Sequence, residues 1–125
     1  MDNGEKTKDA EAEFVQEELE KKFVDIKELN ELVVLAIKHD TLFFKTFKNI
    51  FPDFISKLYL ITPTLSDNEI QLCAYLKLNF STKEIATYSG FSVRSIESRK
   101  YRIRKKLEIP SHESLYIWMM ELEKP

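Results

Sequence analysis

Residues 81–107 read STKEIATYSGFSVRSIESRKYRIRKKL. Ser81, with Glu84 three residues on, forms a capping box: hydroxyl and carboxylate each serve an N–H that a helix start leaves orphaned. Ile85 and Ala86 mark the inward side of the short helix that follows. Ser89-Gly90-Phe91 is a tight turn, with glycine where the backbone must turn left-handed. Ser92 then caps a longer helix running to Leu107. Its inward stripe is Ile96, Ile103 and Leu107, with Arg99 or Lys100 between. Arg94, Glu97, Ser98, Tyr101 and Lys105 recur at three- and four-residue steps and share the opposite face.

Upstream, Leu65-Ser66-Asp67-Asn68-Glu69 is a second capping box, and Ile70, Leu72, Cys73 and Leu76 give its helix a buried side up to Asn79. Downstream, Glu108-Ile109-Pro110 breaks the chain and Ser111 is expected to cap a last helix. Leu115, Trp118, Met119 and Leu122 line one side of it, a spacing that serves a core or a dimer contact equally. Toward the N-terminus, Leu42, Phe43, Phe44, Phe47, Ile50 and Phe51 crowd a short helix beginning near Thr41. Pro52 starts another, with Phe54, Ile55, Leu58, Leu60 and Ile61 as its expected buried side. Ala12, Val15, Leu19, Lys22, Ile26, Leu29, Val33 and Ala36 follow a heptad seam with one polar lapse. It suits either a coiled coil or a long helix packed on its own domain. Met1 to about Ala10 is polar and without periodicity, the composition of a disordered tail.

Two glycines and four prolines in 125 residues argue for helices with short connections. The expected organisation is a tail over 1–11, a helical N-terminal region over 12–61 that dimerises or couples, and a compact domain over 62–125. The single cysteine, Cys73, excludes an internal disulfide framework and is expected in the core. His39 and His112 lack a second ligand at helical spacing, so no metal site and no cofactor is expected. No apolar run reaches the ~20 residues of a membrane span, and the polar N-terminus is no secretory signal, which points to the cytoplasm. No nucleophile–base order or glycine-rich phosphate loop occurs, so an enzyme is not expected.

Charge is unevenly placed within a net −2. Residues 1–40 carry a net −6 and residues 108–125 a net −3. Residues 81–107 hold eight Lys and Arg against two Glu, a net +6. A basic block in an acidic chain is the footprint of a phosphate-binding surface.

A short helix, a glycine turn and a basic helix make a helix-turn-helix, whose second helix enters the DNA major groove. These residues resemble the LuxR/FixJ family of transcription regulators. The resemblance is carried by Leu65-Ser66…Glu69, Asn79-Phe80-Ser81-Thr82-Lys83-Glu84-Ile85-Ala86, Phe91-Ser92, Ser95-Ile96 and Lys105-Lys106-Leu107. The stretches Leu72-Cys73-Ala74 and Arg99 to Leu107 look like the subgroup often found behind tetratricopeptide-repeat sensors. The resemblance implies an all-α fold: a four-helix helix-turn-helix domain preceded by an N-terminal helical extension. It also implies sequence-specific binding to double-stranded DNA, a homodimer through the last helix, and an upstream sensor or RNA polymerase as partner. This chain departs from the family at Asn79, usually Gly; Ser89, usually Leu; Glu97, usually Lys; and Arg99, commonly His. A carboxylate can accept from cytosine N4 but cannot read guanine, so the family's target sequence does not transfer.

The expected base-reading residues are Arg94, Glu97, Ser98 and Tyr101. Thr82, Lys83, Lys100, Arg102, Arg104 and Lys105 are the phosphate candidates, the first two helped by a helix N-terminus. Arg99 or Lys100 could instead pair with Glu84 or Glu69 inside the domain. Two other readings fit: a sigma-like module that binds promoter DNA with RNA polymerase, and a protein-interaction adaptor with a degenerate helix-turn-helix, which Glu97 favours.

Overall fold

A computed structural model describes residues 25–124, together with Ala10, Ala12 and Glu13, which are helical. The seam positions Val15, Leu19 and Lys22, and the expected tail, lie outside the described residues apart from Ala10. The described residues are all-α, with seven helices and no strand. These are α1 (Ile26–Ile37), α2 (Phe43–Ile50), α3 (Pro52–Ile61), α4 (Asp67–Lys77), α5 (Thr82–Ser89), α6 (Val93–Lys106) and α7 (Leu115–Glu121).

The chain divides into two units, Met1–Glu31 and Leu32–Pro125. The division therefore falls thirty residues before the boundary that composition suggested. The reason lies in the core. Leu32, Ala36, Phe47, Phe54 and Leu58 are fully buried in the same cluster as Ile70, Leu76, Ile85, Ile96, Ile103 and Met119. Phe43 stacks on Tyr75 of α4, with ring centroids 4.8 Å apart. Burying aromatic side chains of this size removes a large apolar area from water. The second unit builds its core by packing α2 on α3 and α4, α4 on α6 and α7, and α5 on α6.

Several local expectations need correction. Leu60 and Ile61 are not on the buried side of α3; both are exposed, Leu60 at 82%. Ile26, a seam position, is exposed too, while Leu32 and Ala36 carry the buried face of α1. α2 begins at Phe43, two residues after the expected Thr41. Leu42 holds the cap position, with no side-chain bond of its own, and Asp40 Oδ1 accepts from the Leu42 N–H at 2.9 Å. Ser111 does not cap α7; Ser114 does, accepting from the Ile117 N–H. The intervening residues form a turn instead, closed from Glu113 N–H to Pro110 carbonyl at 3.1 Å.

Both expected capping boxes form, Ser66 with Glu69 and Ser81 with Glu84. Ser92 caps α6 through the Ser95 N–H. Pro52 stands at the start of α3, where its missing N–H costs nothing. Three helix ends close alike. His39, Asn79 and Glu108 take φ of +54°, +66° and +55°. Each is followed by an N–H that reaches back five residues: Asp40 to Leu35, Phe80 to Tyr75 and Ile109 to Arg104. This is the Schellman closure, usually left to glycine.

Candidate nucleic-acid interface

The turn between α5 and α6 decides how the two helices cross. Gly90 ends α5 with φ +80°, and its N–H bonds to the Ala86 carbonyl. A left-handed residue there reverses the chain within two residues, so that Ser92 can start α6. The Phe91 N–H donates to Ser89 Oγ at 3.3 Å and steadies the same turn. From the other side, the His39 ring bonds through Nδ1 to the Tyr88 carbonyl. The end of α1 thus seats on the end of α5, a contact that no sequence motif signals.

Behind α6, Ile96, Ile103 and Leu107 are buried, as the stripe required. On its outer face Arg94, Glu97, Ser98, Tyr101, Arg102 and Lys105 are all exposed. Tyr101 is 59% exposed, and the Lys105 ammonium sits 4.7 Å from the centre of its ring. Lys83, in the first turn of α5, is exposed as well.

The remaining candidates are engaged inside the protein. Lys100 is half-buried: its ammonium donates to Thr82 Oγ1 at 3.1 Å and lies 5.5 Å from the Tyr116 ring centre. Thr82 is thereby an acceptor for Lys100. Arg104 turns back along its helix end. Its Nη1 donates to the carbonyls of Pro110 at 2.6 Å and Glu113 at 2.8 Å, clasping the turn before α7. Its place in the last turn of α6 also suits a cation, because the helix dipole is negative there.

The partner of Glu69 is Lys106, at 2.7 Å, rather than Arg99 or Lys100. Burial raises the Glu69 carboxyl, but Lys106 and the Ser66 N–H and hydroxyl outweigh it, and the group sits below its ordinary value. Glu84 is likewise held low by the Ser81 N–H and hydroxyl. Arg99 instead lays its guanidinium 4.0 Å from the Phe91 ring centre, while its Nε donates to Ser95 Oγ at 3.2 Å. Cys73 is fully buried, and burial pushes its thiol up to about 12, followed by the nearby Glu69 charge.

Leu115 and Met119 are core residues of their own chain, and Trp118 and Leu122 are half-buried against it. The outward apolar residues of α7 are Ile117 and Met120. Tyr116 donates its hydroxyl to the Phe80 carbonyl at 2.8 Å, tying α7 to the segment just before α5. Among the described residues no group of His, Cys, Asp and Glu could hold a metal, and no helix is long and apolar enough to cross a membrane.

No family model, curated protein or solved structure matches this chain. The site rests on its own geometry: a helix held by its apolar stripe, with a donor-rich face turned outward.

Proposed function

We propose that the chain binds double-stranded DNA sequence-specifically and regulates transcription, as a helix-turn-helix protein of LuxR/FixJ type with α6 in the major groove. One observation carries this reading. Arg94, Glu97, Ser98, Tyr101 and Lys105 stand exposed on one face of a fourteen-residue helix whose opposite face is locked in the core. A rigid helix with such a face can present donors and acceptors to base edges in a groove about 12 Å wide. Arg94, Glu97, Ser98 and Tyr101 would read bases. Arg102 and Lys105, with Lys83 at a helix N-terminus, would meet phosphates. Lys100, Arg104 and Lys106 support the fold through their internal bonds and add only long-range charge. A homodimer is part of the proposal. Its contact on α7 would use Ile117 and Met120, since Leu115 and Met119 are spent on the core. Further partners in this reading are RNA polymerase or an upstream sensor.

The test is selection from a randomised duplex library, followed by affinity against salt. An enriched site is expected, with Arg94→Ala or Tyr101→Ala altering the preferred sequence. Three exposed phosphate-contacting cations, Lys83, Arg102 and Lys105, set a log–log salt slope of roughly −2.7 per protomer. A slope near twice that would mean that the internally bonded cations also release counterions. Glu97, exposed in the middle of the face, favours a second reading, a protein-interaction adaptor. No enrichment and no salt dependence would select it over DNA binding.

A further inference from the structure

A groove of about 460 Å³ opens between the start of α2, the side of α4, the α5–α6 turn and α6. The DNA-reading face does not use it. Its inner wall is apolar and aromatic: Phe43, Leu72, Tyr75, Ile85 and Ile96. Its edge is cationic, with Lys45 and Lys48 from α2 and Arg99 from α6. Asp40 is the one carboxylate in the lining, and its Oδ1 already accepts from the Leu42 N–H. Asn68 and Gln71 supply neutral amides from α4.

We propose that this groove binds a small amphipathic anion, an aromatic ring system carrying one carboxylate. The volume lies within the ~300–1,000 Å³ of small-molecule sites. An apolar wall supplies affinity without choosing a charge. The choice comes from three cations facing one engaged carboxylate. Arg99 is the residue best placed to make it. Phe91 stacks under its guanidinium and Ser95 holds its Nε, so the side chain is fixed before a ligand arrives. No hydrogen bond among the described residues engages its terminal nitrogens, which leaves them to a carboxylate. The ring system would lie against the open edges of Phe43 and Tyr75, whose faces are stacked on each other. An occupant would touch α2 and α6 together.

The test contains no DNA, so its outcome is independent of whether α6 reads a duplex. The full chain, labelled with nitrogen-15, is titrated with 1-naphthoate and, separately, with the uncharged 1-naphthamide. Saturable amide shifts are expected around Phe43, Gln71, Phe91 and Arg99, with naphthamide weaker by about tenfold or more. Lys45 and Lys48 are exposed, so the Lys45→Gln, Lys48→Gln double variant keeps the fold. It should weaken naphthoate and leave naphthamide unchanged, and Arg99→Gln should weaken naphthoate further. The proposal is overturned by no saturable shift at millimolar naphthoate, by shifts centred elsewhere, by equal affinity for acid and amide, or by indifference to the charge variants.

Discussion

Glu69 shows how one residue serves two elements. Its carboxylate accepts from the Ser66 N–H at the start of α4 and from Lys106 near the end of α6. The capping half of this role follows from Ser and Glu three residues apart. The Lys106 half does not, because thirty-seven residues separate the pair and any of several cations could have reached it. Lys106 is 36% exposed, so the pair is partly screened. Glu69→Gln keeps the cap and removes the charge, and a loss of about 1 kcal/mol in denaturant unfolding is expected. The folded carboxyl lies below its ordinary 4.5, so its contribution is present above that pH and disappears as pH falls through the folded value. Wild type should therefore lose stability in that acid window more steeply than the Gln variant. Equal slopes for the two proteins would place the ion pair outside the stability balance.

At the scale of elements, caps and breaks were legible because they are local. Ser66, Ser81 and Ser92 each bond to an N–H three residues ahead, and that spacing is visible in any sequence. The last helix was misjudged because Ser111 and Ser114 are both good caps, and the chain chose the later one. Arg104 takes the Pro110 and Glu113 carbonyls and holds the residues between them in a turn. The left-handed closures at His39, Asn79 and Glu108 are a second element-level feature. With a Cβ, each costs roughly 1 kcal/mol relative to glycine. Glu108 is exposed, so Glu108→Gly should raise stability by about 0.5–1 kcal/mol, read as an increase in the denaturant midpoint. The same change at His39 would also remove the ring that bonds to Tyr88, so no gain is expected there. A lower midpoint for Glu108→Gly would show that the backbone strain is relieved in some other way.

The whole second unit shares one core, to which α5 and α6 both contribute. Its boundary predicts how fragments behave. Residues 62–125 alone would expose the face of Tyr75 that Phe43 covers, and would lose Phe47, Phe54 and Leu58 from the core. That fragment should show no cooperative thermal transition, whereas residues 25–125 should melt cooperatively. A sharp transition from the short fragment would restore the boundary at 62 and make α1 to α3 an appendage.

The sequence by itself determined what depends on neighbours three or four residues apart. It specified the helices, the caps at Ser66, Ser81 and Ser92, the inward stripe of Ile96, Ile103 and Leu107, and the outward face of Arg94, Glu97, Ser98 and Tyr101. Only the tertiary structure decided which cations are bonded within the protein. Lys100, Arg104 and Lys106 share one helix with Arg102 and Lys105, and nothing local distinguishes them. Their partners Thr82, Pro110, Glu113 and Glu69 are brought into reach by the packing of α4, α5 and the turn before α7 around α6. The phenylalanines of α2 and α3 announced a core, but not whose core it was. Burial is non-directional, and it was settled by the stacking of Phe43 on Tyr75, a contact between residues thirty-two apart.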